Sequence, residues 1–443
     1  MSQPNIIYIH SHDTGRYVQP YGHAIPTPNI HQLAQEGVLF RQAFCANPTC
    51  SPSRASLLTG QWAHSCGMGG LVNRGWSLPH PERLLPRVLQ DAGYQTVRAG
   101  FQHVVKDPLA GGFERILEEG DKAEERAAAF LAEVHERPFF LDVGFSATHR
   151  KGRGFDPPPA GEMPTDPRYV RPPAPLPDAP ETREDMAAYI DAARTLDAQI
   201  GRVLAALDEC GLRDDTLVVC TTDHGIAFPL MKCHLSDHGM GVMLIVRGPG
   251  GFAGGQVSDA LVSQIDLFPT ICALVGIEAP AWLQGTSLLP LVNGERDAVR
   301  EEVFAEVNYH VCYEPQRAVR TARWKYILRL HDRSRPLLPD CDDSLSKDFM
   351  LAHGWREREE AEERLYDLFY DPHETRNLAA DPACAEVLAA LRERLARWRQ
   401  DTDDPLLRAP FLMPPETAQV ADPDELSPRD APAQSARAFL GIE

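Results

Sequence analysis

The run Cys50-Ser51-Pro52-Ser53-Arg54-Ala55-Ser56-Leu57-Leu58-Thr59-Gly60 combines a thiol, a fixed turn, a guanidinium and the start of a helix. Proline has a locked φ and no N–H to lose, so Pro52 suits a first helical turn, and Ser51 before it can cap free N–H groups. The pattern predicts a helix over 52–58 that stops at Thr59-Gly60. Cys50 would then sit at the positive end of the helix dipole, where a thiolate is stabilised and the thiol pKa falls. Arg54 lies one turn in on the same side and offers a planar fork to oxyanions. Two further pairs, His12-Asp13 and Asp223-His224, follow apolar runs and offer donors for a hard divalent cation.

The run at 50–60 resembles the motif of the sulfatase family: Cys-x-Pro-Ser-Arg, then four residues, then Thr-Gly, with the cysteine oxidised after translation to formylglycine. The resemblance extends over nearly the whole chain and is closest to the heparan N-sulfatase (sulfamidase) branch. It is carried by 50–60 with His64, by 138–140 with His149-Arg150, by 223–229, and by Leu365-Tyr366-Asp367 through Asp371-Pro372-His373-Glu374-Thr375 to Asn377-Leu378. It implies hydrolysis of a sulfate ester or sulfamate, on a small molecule or an oligosaccharide, and a maturation enzyme that generates the formylglycine. It also implies one divalent metal, calcium first with magnesium or manganese as alternatives, bound by Asp13, Asp223, His224 and residue 50. The family's Asp-Asp pair falls on His12-Asp13, so the first ligand here is a histidine, and imidazole favours metals that accept nitrogen.

In the implied mechanism Arg54 holds the formylglycine diol, His149 and Lys232 neutralise the sulfuryl group and help the leaving group depart, and His103 takes the proton of the second hydroxyl. The family's lysine two residues before that histidine is Phe101 here, which leaves room for a differently charged substrate. The resemblance leaves open a phosphonate monoester or phosphodiester hydrolase of the same alkaline-phosphatase-like superfamily. It also leaves open a non-catalytic metal- or glycan-binding relative in which Cys50 stays unmodified, and a homo-oligomer.

These residues need a scaffold. Residues 5–10 read as a buried strand, which leaves His12-Asp13 at its carboxyl end, where ligands gather in open α/β sheets. The pattern next predicts a helix over 30–37, a strand over 38–44 leading into the Cys50 run, a helix over 84–92 and a strand over 95–99 ending near His103. A helix over 123–136 and a strand over 138–145 precede His149. Residues 157–180 are proline-rich without apolar periodicity and are expected as a surface loop over the site face. An amphipathic stripe predicts a helix over 183–210, and the strand over 216–221 ends at Asp223-His224. A strand over 242–246, a helix over 265–275 and a last strand over 301–308 complete the expected catalytic domain, 1–312, a large mainly parallel mixed sheet sandwiched by helices. Beyond 312 the texture changes. Residues 317–330 alternate like an antiparallel strand, 386–398 read as a helix, and the tail from 405 reads as extended or partly mobile. The expected second unit is a smaller α+β domain with an antiparallel sheet, 313–443.

At 443 residues and 43% hydrophobic content the chain can bury a substantial core, and its length suits one large unit and one smaller. No apolar run approaches membrane-spanning length, and the start reads as leaderless. The ten cysteines show no paired spacing, which suits reduced thiols and a cytoplasmic location. A formal charge of −19 argues against nucleic acid or an anionic membrane as partner. A site for an anionic substrate must therefore concentrate cations locally.

Overall fold

Alternation along β1 (Asn5–Ser11) shows why the central sheet is covered on both faces: Ile6 and Tyr8 enter one apolar core, and Ile7 and Ile9 enter the opposite one. A strand buried on both sides reads as one continuous apolar run. The computed structural model describes residues 3–117, 122–429 and 433–442. Met1 and Ser2, where the expected leaderless start begins, and 430–432 of the expected tail lie outside the described residues.

The strands β2 (Val38–Phe44), β3 (Gln95–Gly100), β4 (Arg115–Leu117), β5 (Phe139–Gly144), β6 (Thr216–Thr222), β7 (Leu244–Arg247) and β8 (Gln256–Ser263) join β1 in an eight-stranded sheet ordered β4-β3-β5-β1-β6-β7-β2-β8. β7 runs against both of its neighbours, and the other described pairings are parallel. The helix Pro180–Glu209 covers one face through Leu196, Ile200, Val203 and Leu207. The helices Cys50–Thr59 and Leu267–Val275 cover the other through Leu57, Leu58, Phe268 and Ile271. Each such side chain contributes roughly 1.5–3 kcal/mol when fully buried. The expected α/β sandwich is therefore present. Its carboxyl edge brings the ends of β3, β5, β1 and β6 side by side.

A second sheet, antiparallel, has the order β12-β11-β10-β9, with β9 (Glu302–Tyr309), β10 (Tyr313–Thr321), β11 (Trp324–Arg329) and β12 (Glu363–Asp367). It packs on the helix Ala385–Asp401, whose Leu388, Leu391, Leu395 and Trp398 recur at helical spacing against Val319, Tyr326 and Leu365. Here the sequence expectation needs correction. The strand expected to close the catalytic sheet, β9, pairs instead with β10, for example Glu306 opposite Arg317. Its Val303, Ala305 and Val307 nevertheless pack into the core of the large sheet, so an apolar pattern alone could not assign it.

Other boundaries also shift. β4 is short and partly exposed, and only the last residues of β8 are buried, so neither gave a strand signal. The helix expected over 123–136 stops at Leu131. The long helix starts at Pro180, with Thr182 Oγ1 accepting the Ala179 N–H at 3.1 Å. The tail is more ordered than expected: Gln419–Val420 pairs with Gln434–Ser435, followed by the short helix Ala436–Phe439. Among the described residues, no helix is long and apolar enough to cross a membrane.

A buried charge network joins the second sheet to the segment after the Cys50 helix. Arg317, fully buried, donates to Asp404 at 2.9 and 3.0 Å and to Asn308 at 2.9 Å, while Glu306 accepts from His64 at 2.7 Å and lies 3.6 Å from Arg317. Burial would raise the Glu306 pKa, but His64 and Arg317 bring it down to about 2. Removing the shared cation leaves two buried carboxylates undercompensated. Arg317→Ala is expected to destabilise the fold by ~3–5 kcal/mol, read as a lowered urea midpoint.

Candidate active site

The carboxyl end of β1 turns sharply at Asp13, a non-glycine residue with φ +57°. That conformation costs on the order of 1–3 kcal/mol and persists only where its surroundings hold it. They do so here: Asp223 Oδ1, at the end of neighbouring β6, accepts the Asp13 N–H at 2.9 Å. The Asp13 carboxylate accepts from Lys232 Nζ at 2.9 Å and lies 2.8 Å from His12 Nδ1. Burial would raise its pKa, but Lys232, His12 and His149 hold it well below the carboxylate range. Asp223 Oδ2 accepts from Arg54 Nη2 at 2.9 Å, and Arg54 outweighs burial there in the same way.

Cys50 opens its helix. The expected start at Pro52 with a Ser51 cap is corrected: the helix spans Cys50–Thr59 after an extended Thr49, and Ser51 Oγ instead accepts the Val72 N–H at 3.1 Å. The expected fall in the thiol pKa is overturned as well. Cys50 is buried, and desolvation pushes its thiol up, outweighing Lys232.

The imidazoles are oriented by their partners. His224 Nδ1 faces the Gly225 carbonyl at 3.0 Å and must donate there, so Nε2 turns a lone pair toward Asp13, Asp223 and Cys50 Sγ at 3.4, 3.5 and 3.5 Å. His149 donates from Nδ1 to its neighbour's carbonyl at 2.9 Å, leaving Nε2 3.9 Å from Asp13. Burial pushes His12 down to about 3 and, with Arg54 nearby, His103 down to about 4, so both are neutral near pH 7. Ligand atoms of His12, Asp13, Cys50 and Asp223 all lie within 4.8 Å of one another, and those of His12, Cys50 and His103 form a second such group. Two ionised carboxylates and a neutral imidazole at this spacing fit a divalent cation.

His12, Cys50, His103, His149 and Lys232 line one cavity of about 460 Å³. Asp13, Asp223, His224 and Arg54 lie buried beside it. All nine residues proposed from the sequence thus converge. The proline-rich stretch does not: its residues line a different cavity beside Tyr17 and His238. Phe101 occupies the missing lysine's place, its ring 4.9 Å from that of His12 and 5.2 Å from the Arg54 guanidinium.

Sequence reasoning missed the groups that hold these. Arg54 donates to His10 Nδ1 at 2.6 Å, which makes His10 Nε2–H the donor to Asp142 at 2.8 Å. Two polar residues inside the apolar runs of paired strands were the available signal. It also missed Asp342, 3.1 Å from Lys232, and the wall residues Asp340, His310 and Pro428, which no motif marks.

The Sulfatase family model matches residues 4–277, and the model for the C-terminal part of N-sulphoglucosamine sulphohydrolase matches residues 230–342. Human N-sulphoglucosamine sulphohydrolase is 33% identical over 442 residues, covering 87% of this chain and 88% of that protein. A solved 2-O GAG sulfatase superposes with a TM-score of 0.70 at 24% identity, covering 94% of this chain and 96% of that one. The phosphonate monoester hydrolase of Agrobacterium radiobacter also gives 0.70, at 22% identity over 90% of this chain and 96% of its own. Likeness at these two lower identities shows the fold alone. With the family match spanning more than half of its length and a relative 33% identical along most of it, this chain belongs to the Sulfatase family.

Proposed function

We propose that the protein hydrolyses a sulfate ester or sulfamate of a sugar, with residue 50 acting after a maturation enzyme has oxidised it to formylglycine. The observation that carries this reading is the place of Cys50, buried at the start of its helix with Sγ grouped with ligand atoms of His12, Asp13 and Asp223, where a hydrated aldehyde would offer two hydroxyls. One hydroxyl attacks sulfur and the bond to the leaving atom breaks; loss of the second hydroxyl's proton re-forms the aldehyde and releases sulfate. A divalent cation held by His12, Asp13, Asp223 and residue 50, with His224 beside them, would polarise the sulfuryl oxygens and the attacking hydroxyl.

The chain's own groups divide the remaining work. Arg54, locked by Asp223, Ser11 and His10, orients the diol one turn from it. His103, neutral near pH 7, takes the second hydroxyl's proton on its unprotonated ring nitrogen. Lys232, pinned between Asp13 and Asp342, stays charged and serves as a fixed field. That leaves His149, half-buried at the cavity, to protonate the leaving atom: as the imidazolium, with Nδ1–H on the Arg150 carbonyl, it gives up the Nε2 proton. The identity to human N-sulphoglucosamine sulphohydrolase supports a sulfamate, and ten cysteines without a disulfide support a reducing, cytoplasmic setting. The His12 nitrogen supports manganese over calcium as the more active ion, with calcium and magnesium as the alternatives.

Cys50→Ala is expected to lower turnover by about 10⁴-fold or more, and active protein to carry a residue-50 peptide with the mass of formylglycine, read by mass spectrometry. Full turnover by the alanine variant, or by protein with an unmodified thiol, would sink the reading. Chelation should abolish activity, manganese should restore it best, and His12→Asp should shift the preference toward calcium; equal restoration by all three ions in both proteins would count against His12 as a ligand. His149→Ala should slow sulfamates by ~10²–10⁴-fold while sparing an activated nitrophenyl sulfate, whose phenolate leaves unaided. Lys232→Ala should slow both. Equal losses for the two substrate types in His149→Ala would confine that residue to binding.

A further inference from the structure

The cations nearest residue 50 are already engaged. Lys232 is paired with Asp13 and Asp342 at 2.9 and 3.1 Å, and Arg54 is bonded to Asp223, His10 and the Ser11 carbonyl. Phe101 adds an aromatic edge in place of a further cation. On the wall of the same cavity, however, stands one guanidinium without such a partner. Arg74 ends the short turn Val72–Arg74, next to Asn73, whose Oδ1 lies 3.2 Å from His103 Nε2. Among the described residues the Arg74 guanidinium makes no hydrogen bond, ion pair or ring contact, although it is half-buried. The nearest carboxylate, Asp340, acts on Arg74 through space without a hydrogen bond to it, and accepts the backbone N–H groups of Val311 and Cys312 at 2.8 and 2.9 Å. In a chain of net charge −19, this half-buried arginine on the cavity wall keeps its hydrogen-bonding fork open to an anion that enters.

We propose that Arg74 is a specificity-determining residue that receives a second anionic group of the substrate, a carboxylate or a further sulfate on the same sugar. The inference rests on the sulfated-sugar reading above. Residue 50 and the metal ligands take the reacting sulfuryl group, and the fork of Arg74, on the cavity wall, takes the second anion in paired hydrogen bonds. The substrate class is therefore a sugar bearing two negative charges, not a neutral sugar with a single sulfate.

Binding to the Cys50→Ala protein separates this from turnover. Three probes would be titrated by calorimetry: glucosamine N-sulfate, glucosamine N,6-O-disulfate, and N-sulfoglucosamine linked to a hexuronate. Arg74→Gln should weaken one or both doubly charged probes by about 10- to 100-fold and the monosulfate by less than about threefold, with partial rescue in Arg74→Lys and an unchanged thermal midpoint. Which doubly charged probe responds identifies sulfate or carboxylate as the second anion. Equal weakening of all three probes, or none, would overturn the role of Arg74 while leaving the sulfatase reading intact. If none of the three binds the Cys50→Ala protein and the mature enzyme turns none over, the sulfated-sugar reading itself fails, and the inference with it.

Discussion

Two fully buried carboxylates, Asp13 and Asp223, at the ends of adjacent strands, set the terms for everything around them. Ionised groups in a dry interior persist only when paired, and the pairing here is layered. Lys232 answers Asp13, Arg54 answers Asp223, and Arg54 in turn rests on His10, which is held by Asp142 on the neighbouring strand. Asp13 is additionally bent into the left-handed region, with its N–H on Asp223. The strain and the charge are thus stabilised by the same contacts. A divalent ion held there would relieve both groups at once.

The Cys50 thiol shows which of two opposed effects wins. A helix N-terminus stabilises an anion, but the benefit is a fraction of the cost of desolvating a thiolate next to two carboxylates. The direction of the thiol's shift follows from burial, with Asp13 and Asp223 adding to it. The same surroundings that silence a thiol suit a neutral carbonyl, which loses nothing by leaving water. Burial of residue 50 is thus in keeping with the conversion proposed for it.

Much of this was legible in the chain. Apolar runs that stop at His, Asp or Arg placed the strand ends, and the nine site residues named from those ends, from the run at 50–60 and from the family resemblance lie at one cavity and its floor. What escaped was long-range or polar. His10 and Asp142 sit inside strands, and their role depends on a pairing between β1 and β5 that no local pattern reports. Asp342 and His310 reach the cavity from segments without motif or periodicity. The helix start at Cys50 was misplaced because Pro52 is tolerated anywhere in a first turn, and only the extended Thr49 fixes which turn is first. The loop at 157–180 was assigned to the site face on composition, which says that a segment is on the surface but not above which cavity.

Strand β9 has a consequence for how the molecule comes together. One of its edges pairs with β10, and its apolar residues fill the core beneath the large sheet, so neither half can bury its surface before the other arrives. The two sheets therefore share one apolar core at β9. A chain still emerging from the ribosome would have to hold its large sheet incomplete, with an unfilled apolar face, until residues beyond 300 are delivered. The last third of the protein acts as the keystone of the catalytic sheet and not as an appendage to it.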